Sequence, residues 1–357
     1  MDVKIIEATK DHIANWDEYV LNHPNSNVYQ LYNWKKVIFD TYGHEAHYIM
    51  AVSNNSEIMG ILPLVKINAY GIVKKFTSIP FFDLGGVLAD DKKTEELLIR
   101  HAFEVAKKEK ISSISLRQQE RLISEESIKN SDYPHLFVKK DKVRLILELG
   151  KSSEELFSSF KSKLRSQIRK PIKEGLKVKI GGVELVDDFY RVFVKNMRWL
   201  GSPVHSKEII INTLKCFSHM CKIFAIYKDK TPVASSLILE LKEMVYNPWA
   251  SSLREYSRLS PNMLLYWAML EYSCDKGYKY FDFGRSTVDE GTYRFKKQWG
   301  AKDKEIFWYV ATKNISASIF PPSFASSLRK FFVWCWKKLP PSATVFLGPK
   351  IRKNIDL

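Results

Sequence analysis

The chain has 357 residues, of which 45% are hydrophobic and 13% aromatic, so it is long enough for two folded domains and too apolar to be disordered. Its net charge of +16 is local, because residues 161–179 and 313–357 each hold eight basic residues and one acid, which leaves the rest of the chain at about +2. No uncharged apolar stretch approaches the roughly 18 residues that a membrane-spanning helix needs.

Apolar spacing divides the first 150 residues into strands and helices. The predicted order is a strand, two helices, three strands, a helix and a strand, followed by a final strand. A turn at Asn54-Asn55-Ser56 joins two of the strands. The predicted strands include 3–8, 46–53, 58–67, 111–117 and 143–150, and the predicted helices are 12–23, 33–43 and 94–110.

The second half repeats this order. Ser260 is expected to cap a helix that has Pro261 in its first turn and stops at Gly277. The predicted strands are 176–182, 222–229, 233–241, 243–251, 278–284 and 304–311, and the other predicted helices are 183–201, 206–220 and 292–300.

The repeated order of strands and helices indicates an α+β protein made of two homologous halves. Each half is expected to be a mixed central sheet with flanking helices. We predict a first domain at 1–150, a second and catalytic domain at 151–312, and a basic amphipathic tail at 313–357. The element order resembles the acyltransferase fold of the GNAT type, in which a splayed central sheet binds an activated acyl donor. The fold prediction is therefore two tandem GNAT-like subdomains.

The basic segment 161–179 has an apolar stripe of Leu164, Ile168 and Ile172, which indicates a helix with cationic faces. Pro171 is expected to kink or end this helix early. One interpretation is a solvated basic face. The other is a binding site for a polyanion, because charges this dense repel one another without one. A nucleotide diphosphate, the backbone of tRNA and an anionic lipid are the candidate polyanions.

The tail also predicts a helix, with one apolar face and basic residues beside it. Such a helix at 325–339 suits the surface of an anionic membrane, and packing on its own domain is the alternative. Trp334 and Trp336 cannot both lie on one face. The expected apolar face consists of Leu328, Phe331, Phe332, Cys335 and Leu339.

The stretch 280–300, YFDFGRSTVDEGTYRFKKQWG, gathers charges around a turn. Asp282 lies at the end of a strand, where catalytic folds expose polar groups, and a local salt bridge with Arg285 is the structural alternative. Helix-dipole complementarity explains several charges of the following helix. It does not explain the gathering of Arg285, Arg294 and Lys296.

Residues 260–300 resemble the signature of the FemAB-like aminoacyltransferase superfamily, especially the subgroup associated with PEP-CTERM/exosortase systems. The segments MRWLGSPVHSKE, KLRSQIRKPIKEGL and PFFDLGGVLAD are similar to that subgroup as well. The resemblance implies two GNAT-like subdomains and N-acyl transfer to an amine. In the peptidoglycan branch the donor is an aminoacyl-tRNA and the acceptor a cell-wall precursor. The important lysine of a Phe-Lys pair in that branch corresponds to Lys296, after Phe295.

The chemistry of acyl transfer suits these residues. Amine attack on an ester or thioester builds negative charge on the carbonyl oxygen, and Lys296 is the candidate to stabilise it. Asp282 either accepts the proton of the amine or orients Arg285. Arg285 and Arg294 are candidates to bind a diphosphate or a carboxylate. His205 is expected to be an ordinary loop residue rather than a base.

The identity of the donor depends on the turn 253–263, LREYSRLSPNM. It has Arg254 and Arg258 but none of the glycines that let acetyl-CoA enzymes of this fold approach the pyrophosphate. This favours aminoacyl-tRNA over acyl-CoA. Arg165, Arg169 and Lys170 in the basic helix are further candidates for substrate binding.

Neither a bound cofactor nor a metal is expected. The four cysteines have no metal-ligand spacing and are expected to be reduced thiols. The first ten residues lack the features of a signal peptide, so we expect a cytoplasmic protein, acting at the inner membrane face on a sugar- or lipid-linked precursor. An acyl-CoA-dependent acetyltransferase is the second hypothesis. A non-enzymatic module that binds nucleic acid or anionic lipid is the third.

Overall fold

The computed structural model describes residues 3–122, 128, 132–313 and 322–356, with the backbone alone for 322–329. The strands are β1 Val3–Glu7, β2 Ala46–Ser53, β3 Ile58–Ala69, β4 Val73–Thr77, β5 Leu88–Ala89, β6 Ser113–Gln118, β7 His135–Lys139, β8 Lys142–Glu148, β9 Leu176–Gly181, β10 Cys221–Lys228, β11 Thr231–Leu241, β12 Met244–Ser252, β13 Tyr280–Thr287, β14 Lys302–Glu305 and β15 Phe307–Thr312. The helices are α1 Ile13–Asn22, α2 Trp34–Tyr42, α3 Lys92–Lys108, α4 Ser153–Ser159, α5 Ser162–Lys173, α6 Val186–Leu200, α7 Lys207–Cys216, α8 Pro261–Asp275, α9 Gly291–Lys297, α10 Pro322–Lys338 and α11 Pro341–Arg352.

These elements form two sheets with the same plan. The first sheet has the order β1-β2-β3-β4-β6-β15-β7, with β5 paired to β3, and the second has the order β9-β10-β11-β12-β13-β8-β14. Each contains one parallel pair at its centre, β4 with β6 and β12 with β13, and each of these pairs extends over three residues. The predicted tandem GNAT-like fold is thereby confirmed.

The main difference from the predicted order is that the two sequence halves exchange a strand. β8 was expected to close the first half and β15 the second, but β8 pairs with β13 and β15 pairs with β6. Two compact units result, one of residues 1–141, 305–329 and 351–357, the other of residues 142–304 and 330–350. Local patterns cannot show this exchange, because β8 and β15 have the same apolar alternation whichever sheet receives them.

In the first unit, a buried arginine of β6 lies just beyond the parallel pair β4–β6. Arg117 donates hydrogen bonds to the carbonyl oxygens of Ile79 (3.0 Å), Phe82 (2.5 Å) and Asp356 (3.0 Å). The Asp356 carboxylate lies 2.9 Å from the Lys75 ammonium and 3.6 Å from the Arg117 guanidinium. Asp356 thus holds Arg117 in place at the end of the parallel pair.

In the second unit, one helix is buried almost all round. α8 has eleven buried residues and packs with α5 on one face of the sheet, where Met269, Leu270 and Phe281 belong to one apolar cluster. α6 is amphipathic and covers the other side, against β11 and β12. A helix without a polar face is stable only in such a core.

Two local predictions in this unit were wrong. The apolar stripe of α5 is Leu164, Ile168 and Pro171, because Ile172 is 53% exposed. Pro171 lies in the last turn, where the missing N–H costs one hydrogen bond and its ring fills the place expected of Ile172. Ser260 has a left-handed backbone (φ 57°) and makes no side-chain cap.

The predicted apolar face of the tail helix was also wrong in part. In α10, Trp336 is buried and Val333 packs on Gly201, while Phe331 and Trp334 are exposed. The two tryptophans lie on different faces, as predicted. The Leu328 side chain lies outside the described residues. Among the helices that the structure describes, none combines the length and the apolar character that crossing a bilayer requires.

Candidate active site

A gap in the second sheet begins where two bulges face each other. β12 and β13 pair only through residues 244–246 and 280–282, although both strands continue further. At this point Asn247–Pro248 in β12 oppose one residue of β11, and Phe283–Gly284 in β13 oppose one residue of β8. Bulges bend strands and are common beside active sites. The two strands therefore separate here, as the splayed sheet of the predicted fold requires.

Gly284 permits this geometry. Its φ is +73°, which favours glycine, and an added Cβ would lie 3.4 Å from the carbonyl oxygen of Asn247. The Asn247 amide in turn donates to the hydroxyl of Ser236 and, at 3.1 Å, to the carbonyl oxygen of Leu237. Each bulge is thus held in place by its own hydrogen bonds or backbone conformation.

Lys296 is buried at the β13 bulge. Its ammonium donates to the carbonyl oxygens of Gly284 (3.1 Å) and Arg285 (2.9 Å), and the residue is 8% exposed. A buried ammonium needs such acceptors, because desolvation of a charge is costly. The structure thus fixes a positive charge beside the point where β12 and β13 separate.

An aromatic cluster determines where Lys296 points. Its neighbour Phe295 packs edge-on against Tyr266 of α8, with ring centroids 5.0 Å apart, and contacts Trp299 at 6.2 Å. Tyr266 stacks on Phe283 at 5.5 Å, and burial raises the pKa of its hydroxyl. These rings attach the short helix α9 to α8 and β13, which explains in physical terms why a Phe-Lys pair occurs here.

Asp282 is occupied by a partner that the sequence analysis did not single out. One of its oxygens accepts from Arg144 of β8 at 3.0 Å and 2.8 Å, and the other accepts from the backbone N–H of Gly284 at 2.8 Å. Asp282 and Arg144 are 3% exposed. Asp282 thus forms a buried salt bridge with Arg144 at this turn, and its predicted salt bridge with Arg285 stays a prediction. A lone arginine in the apolar run VRLILE was the available signal.

Of the other predicted residues, Arg285 and Arg294 lie nearest to this bulge in the chain. Arg285 is half-buried in β13, and its carbonyl oxygen is one of the two acceptors of Lys296. Arg294 is exposed on α9, two residues before Lys296. Their predicted contact with a diphosphate or a carboxylate stays a prediction.

The basic helix α5 borders an open cleft of about 610 Å³ in the same unit. Its lining includes Lys161 just before α5, Lys163 and Gln167 of α5, Glu148 of β8, and residues 297–300 at the end of α9. Arg165 donates instead to the carbonyl oxygen of Ser158, and Arg169 lies over the Phe157 ring at 5.1 Å. The predicted residues Arg165, Arg169 and Lys170 are outside this lining.

The Lys297 ammonium at the edge of this cleft also has an acidic partner. It lies 3.0 Å from Asp303, which accepts a second hydrogen bond from the Tyr293 hydroxyl at 2.7 Å. Burial alone would raise the pKa of Asp303, but these two donors outweigh it and lower the pKa. The end of α9 is thereby fixed beside the cleft.

The two predicted arginines before α8 lie on a 3-10 helix, Arg254–Leu259. The Arg254 guanidinium stacks over the Trp199 ring at 4.6 Å. Arg258 is exposed on the same turn. His205 is buried, and its carbonyl oxygen accepts from the Tyr190 hydroxyl. Among the described residues, no group of three or more His, Cys, Asp or Glu could hold a metal ion.

Comparisons with known proteins agree with this geometry. Residues 158–297 match the family described as the acetyltransferase (GNAT) domain, which is the part of the chain that carries α5, the bulges and Lys296. The lipid II:glycine glycyltransferase of Staphylococcus epidermidis is 29% identical over 181 residues, or 45% of this chain and 41% of that protein. The match thus spans about two fifths of the length of that relative.

Two solved structures have the same fold over most of the chain. The crystal structure of FemX superposes with a TM-score of 0.68 at 16% identity, over 91% of this chain and all of the other. A tandem GNAT protein from the clavulanic acid biosynthesis pathway superposes with a TM-score of 0.56 at 10% identity, over 88% of this chain and 99% of the other.

The chain thus has the fold of a tandem GNAT protein, and its second unit carries the match to the GNAT-type acetyltransferase domain. The predicted resemblance to the FemAB-like aminoacyltransferases is confirmed by the glycyltransferase relative and by the FemX structure. The assignment to the exosortase-associated subgroup stays a prediction.

Proposed function

We propose that the second unit catalyses N-acyl transfer of the FemAB type to an amine of a cell-envelope precursor. The amine nitrogen forms a bond to the donor's carbonyl carbon, the bond to the donor's oxygen or sulfur breaks, and one amine proton ends on that leaving group. The observation that carries the proposal is the buried Lys296 ammonium, fixed where β12 and β13 separate.

Lys296 has the role of stabilising the carbonyl oxygen as it becomes anionic. Its position is set before substrate binds by the β13 carbonyls and by the packing of Phe295. A preorganised donor of this kind contributes about 10²–10³ to turnover in enzymes where it has been removed.

Asp282 is proposed as a positioning residue rather than as the proton acceptor. Both of its oxygens already accept hydrogen bonds, from Arg144 and from Gly284. Through the Gly284 N–H it holds the same bulge whose carbonyl oxygens bind Lys296. The proposal therefore assigns no side chain as a base, and the amine proton passes to the leaving group of the donor.

Aminoacyl-tRNA is the preferred donor. In the turn that would face a pyrophosphate, the backbone N–H groups of Tyr256, Ser260 and Met263 donate to backbone carbonyl oxygens. This arrangement disfavours the close phosphate cradle of an acyl-CoA site. The lysines of α5 beside the 610 Å³ cleft favour a longer polyanion.

The acceptor is proposed to be a sugar- or lipid-linked precursor at the cytoplasmic face of the membrane. The lipid II:glycine glycyltransferase relative supports this choice, and residues 325–339 are the proposed peripheral contact with anionic lipid. The second candidate, an acyl-CoA-dependent N-acetyltransferase, is favoured by the description of the matching domain family as an acetyltransferase.

The experiment compares Lys296→Ala with Lys276→Ala, which removes an exposed lysine of the same unit. Purified protein is given lipid II with either tRNA charged with labelled glycine or labelled acetyl-CoA, and transfer of label is measured. We expect transfer from charged tRNA, a loss of about 10²-fold or more in kcat for Lys296→Ala, and little change for the control.

Transfer from acetyl-CoA alone would overturn the proposed donor and leave the reaction class in place. Full turnover by Lys296→Ala would overturn the proposed site. A non-enzymatic binding module predicts no transfer from either donor, together with loss of tRNA or vesicle binding when the lysines and arginines of 161–179 are neutralised.

A further inference from the structure

Large apolar side chains are concentrated on one part of the second unit. Eight of the nineteen large hydrophobic residues that are exposed among the described side chains lie at 199–200 and 331–347. These eight are Trp199, Leu200, Phe331, Phe332, Trp334, Val345, Phe346 and Leu347. We call them, with the basic residues beside them, the aromatic-basic surface.

The helices that carry this surface are already anchored to the unit. Gly201, after α6, lies so close to α10 that an added Cβ would come within 2.4 Å of Val333, and Gly348 of α11 approaches Val204 in the same way. The Arg198 guanidinium donates to the carbonyl oxygen of Leu339. Anchoring thus uses the inner sides of both helices and leaves their outer sides to solvent.

On the outer side of α10, aromatic and basic residues alternate at helical spacing. Phe331 is 63% exposed and Trp334 is 59% exposed, their rings stack 6.2 Å apart, and Lys338 follows one turn later. On α11, the Lys350 ammonium lies 3.7 Å above the ring of the exposed Phe346. Residues of this kind place their rings at the boundary of a bilayer and extend their charges to the headgroups.

The charge of the surface identifies its partner. Residues 330–352 contain five basic residues and no acid. The Trp199 ring contacts one of these five, Lys337 at 5.7 Å, and one further cation, Arg254 at 4.6 Å. A second copy of this chain would bring like charges together, which opposes self-association. An anionic lipid surface complements both the charge and the apolar side chains.

We propose that α10, α11 and the end of α6 form a docking surface for an anionic bilayer. The exposed rings insert at the headgroup boundary, and the lysines bind the lipid phosphates. This inference deepens the membrane contact of the proposed function: it extends the contact beyond 325–339 and reassigns the inserted residues to the exposed side of α10.

The test uses the full chain and sedimentation with vesicles of phosphatidylcholine, with or without phosphatidylglycerol. We expect binding only when phosphatidylglycerol is present. Phe331→Ser with Trp334→Ser should weaken it at least tenfold, and Lys337→Glu with Lys338→Glu by a similar factor. The matched controls are Phe39→Ser with Tyr70→Ser and Lys93→Glu with Lys108→Glu, which change exposed residues of the first unit.

A second measurement places the rings in the lipid. Brominated phosphatidylglycerol should quench tryptophan fluorescence of the wild type, and Trp199→Phe with Trp334→Phe should remove most of that quenching while vesicle binding persists. Equal binding by the serine or glutamate variants and their controls would overturn the proposal. The proposal would also be overturned if Phe331→Ser with Trp334→Ser abolished a dimer or an RNA complex of the wild type and left vesicle binding unchanged.

The docking surface and the proposed catalytic function can fail independently, and the experiments distinguish the two failures. Transfer to a water-soluble amine analogue of the acceptor should not change in Phe331→Ser with Trp334→Ser. Loss of vesicle binding by the wild type with retained transfer would reject the docking surface alone. Full transfer by Lys296→Ala with normal vesicle binding would reject the catalytic proposal alone.

Discussion

In the first unit, Arg117 and the Asp356 carboxylate lie just beyond the end of the parallel pair, whereas in the second unit two bulges and Lys296 occupy the equivalent position. The strand order of the two sheets is the same. The buried cation of the first unit, Arg117, donates to three backbone carbonyl oxygens and lies 3.6 Å from a carboxylate, whereas Lys296 of the second unit donates to two carbonyl oxygens of a β-bulge. The comparison favours the second unit for the proposed reaction, because one fold can hold a structural site in one copy and a functional site in another.

The largest effect is expected from the buried pair of the second unit. Arg144→Ala leaves the Asp282 carboxylate buried without its main partner, so the free energy of unfolding should fall by about 3–5 kcal/mol. Denaturant unfolding measures this change. Replacing both partners by apolar residues, as in Arg144→Met with Asp282→Leu, should recover most of the loss. A single variant as stable as the wild type would show that this pair does not hold the bulge.

A smaller effect should follow from Asp356 in the first unit. Burial alone would raise the pKa of this carboxyl, but Arg117 and Lys75 outweigh it and lower the pKa to about 2. The unfolded-state value is near 3.9, so the stability that Asp356 contributes is present above pH 4 and is lost as the pH falls from about 4 to about 2. The contribution at neutral pH is on the order of 2 kcal/mol.

Asp356→Asn tests this by its pH dependence. The wild type should be more stable than the variant at pH 7 by about that amount, and the difference should shrink toward pH 2. Turnover of the folded protein should not change, because the proposal places no substrate at this carboxylate. A variant that lost turnover at full stability would contradict the division of tasks between the units.

The smallest effect on stability is expected from replacing two glycines. These variants test most directly whether the bulge in the second unit supports catalysis. Gly284→Ala and Gly277→Ala both force an alanine into a left-handed backbone, at a cost of about 1 kcal/mol each. Of the two glycines, only Gly284 has a carbonyl oxygen that accepts from Lys296. Turnover should fall about tenfold for Gly284→Ala alone, because relief of its backbone strain would move that carbonyl and the lysine bound to it. Equal turnover in the two variants would show that the conformation of the bulge does not contribute to catalysis.

Much of the fold could be predicted from local patterns. Alternation in AHYIMAVS and KIFAIYKD identified β2 and β10, and Pro261 with Gly277 marked α8. β4 and β7 were missed, because VKKFT and HLFVK are short and have little alternation. The exchange of β8 and β15 is a pairing between distant segments, which no local pattern contains.

Lys296 was chosen because Phe295-Lys296 resembles the Phe-Lys pair of the FemAB-like enzymes. The structure buries this residue at a β-bulge, and its role in the reaction stays a prediction. Arg144 was missed because its partner lies 138 residues further along the chain. The exposed side of α10 was misjudged because Gly201, which decides which side packs, belongs to another element.

The exchanged strands restrict how this chain can be divided. A fragment that begins at residue 151 would lack β8 and, with it, Arg144, so the carboxylate of Asp282 would face an open sheet edge. A fragment that ends at residue 150 would lack β15, which lies between β6 and β7. Neither sequence half thus contains all the strands of its sheet. A transplant of the segment that matches the GNAT-type domain, residues 158–297, into another protein would have to include β8 as well.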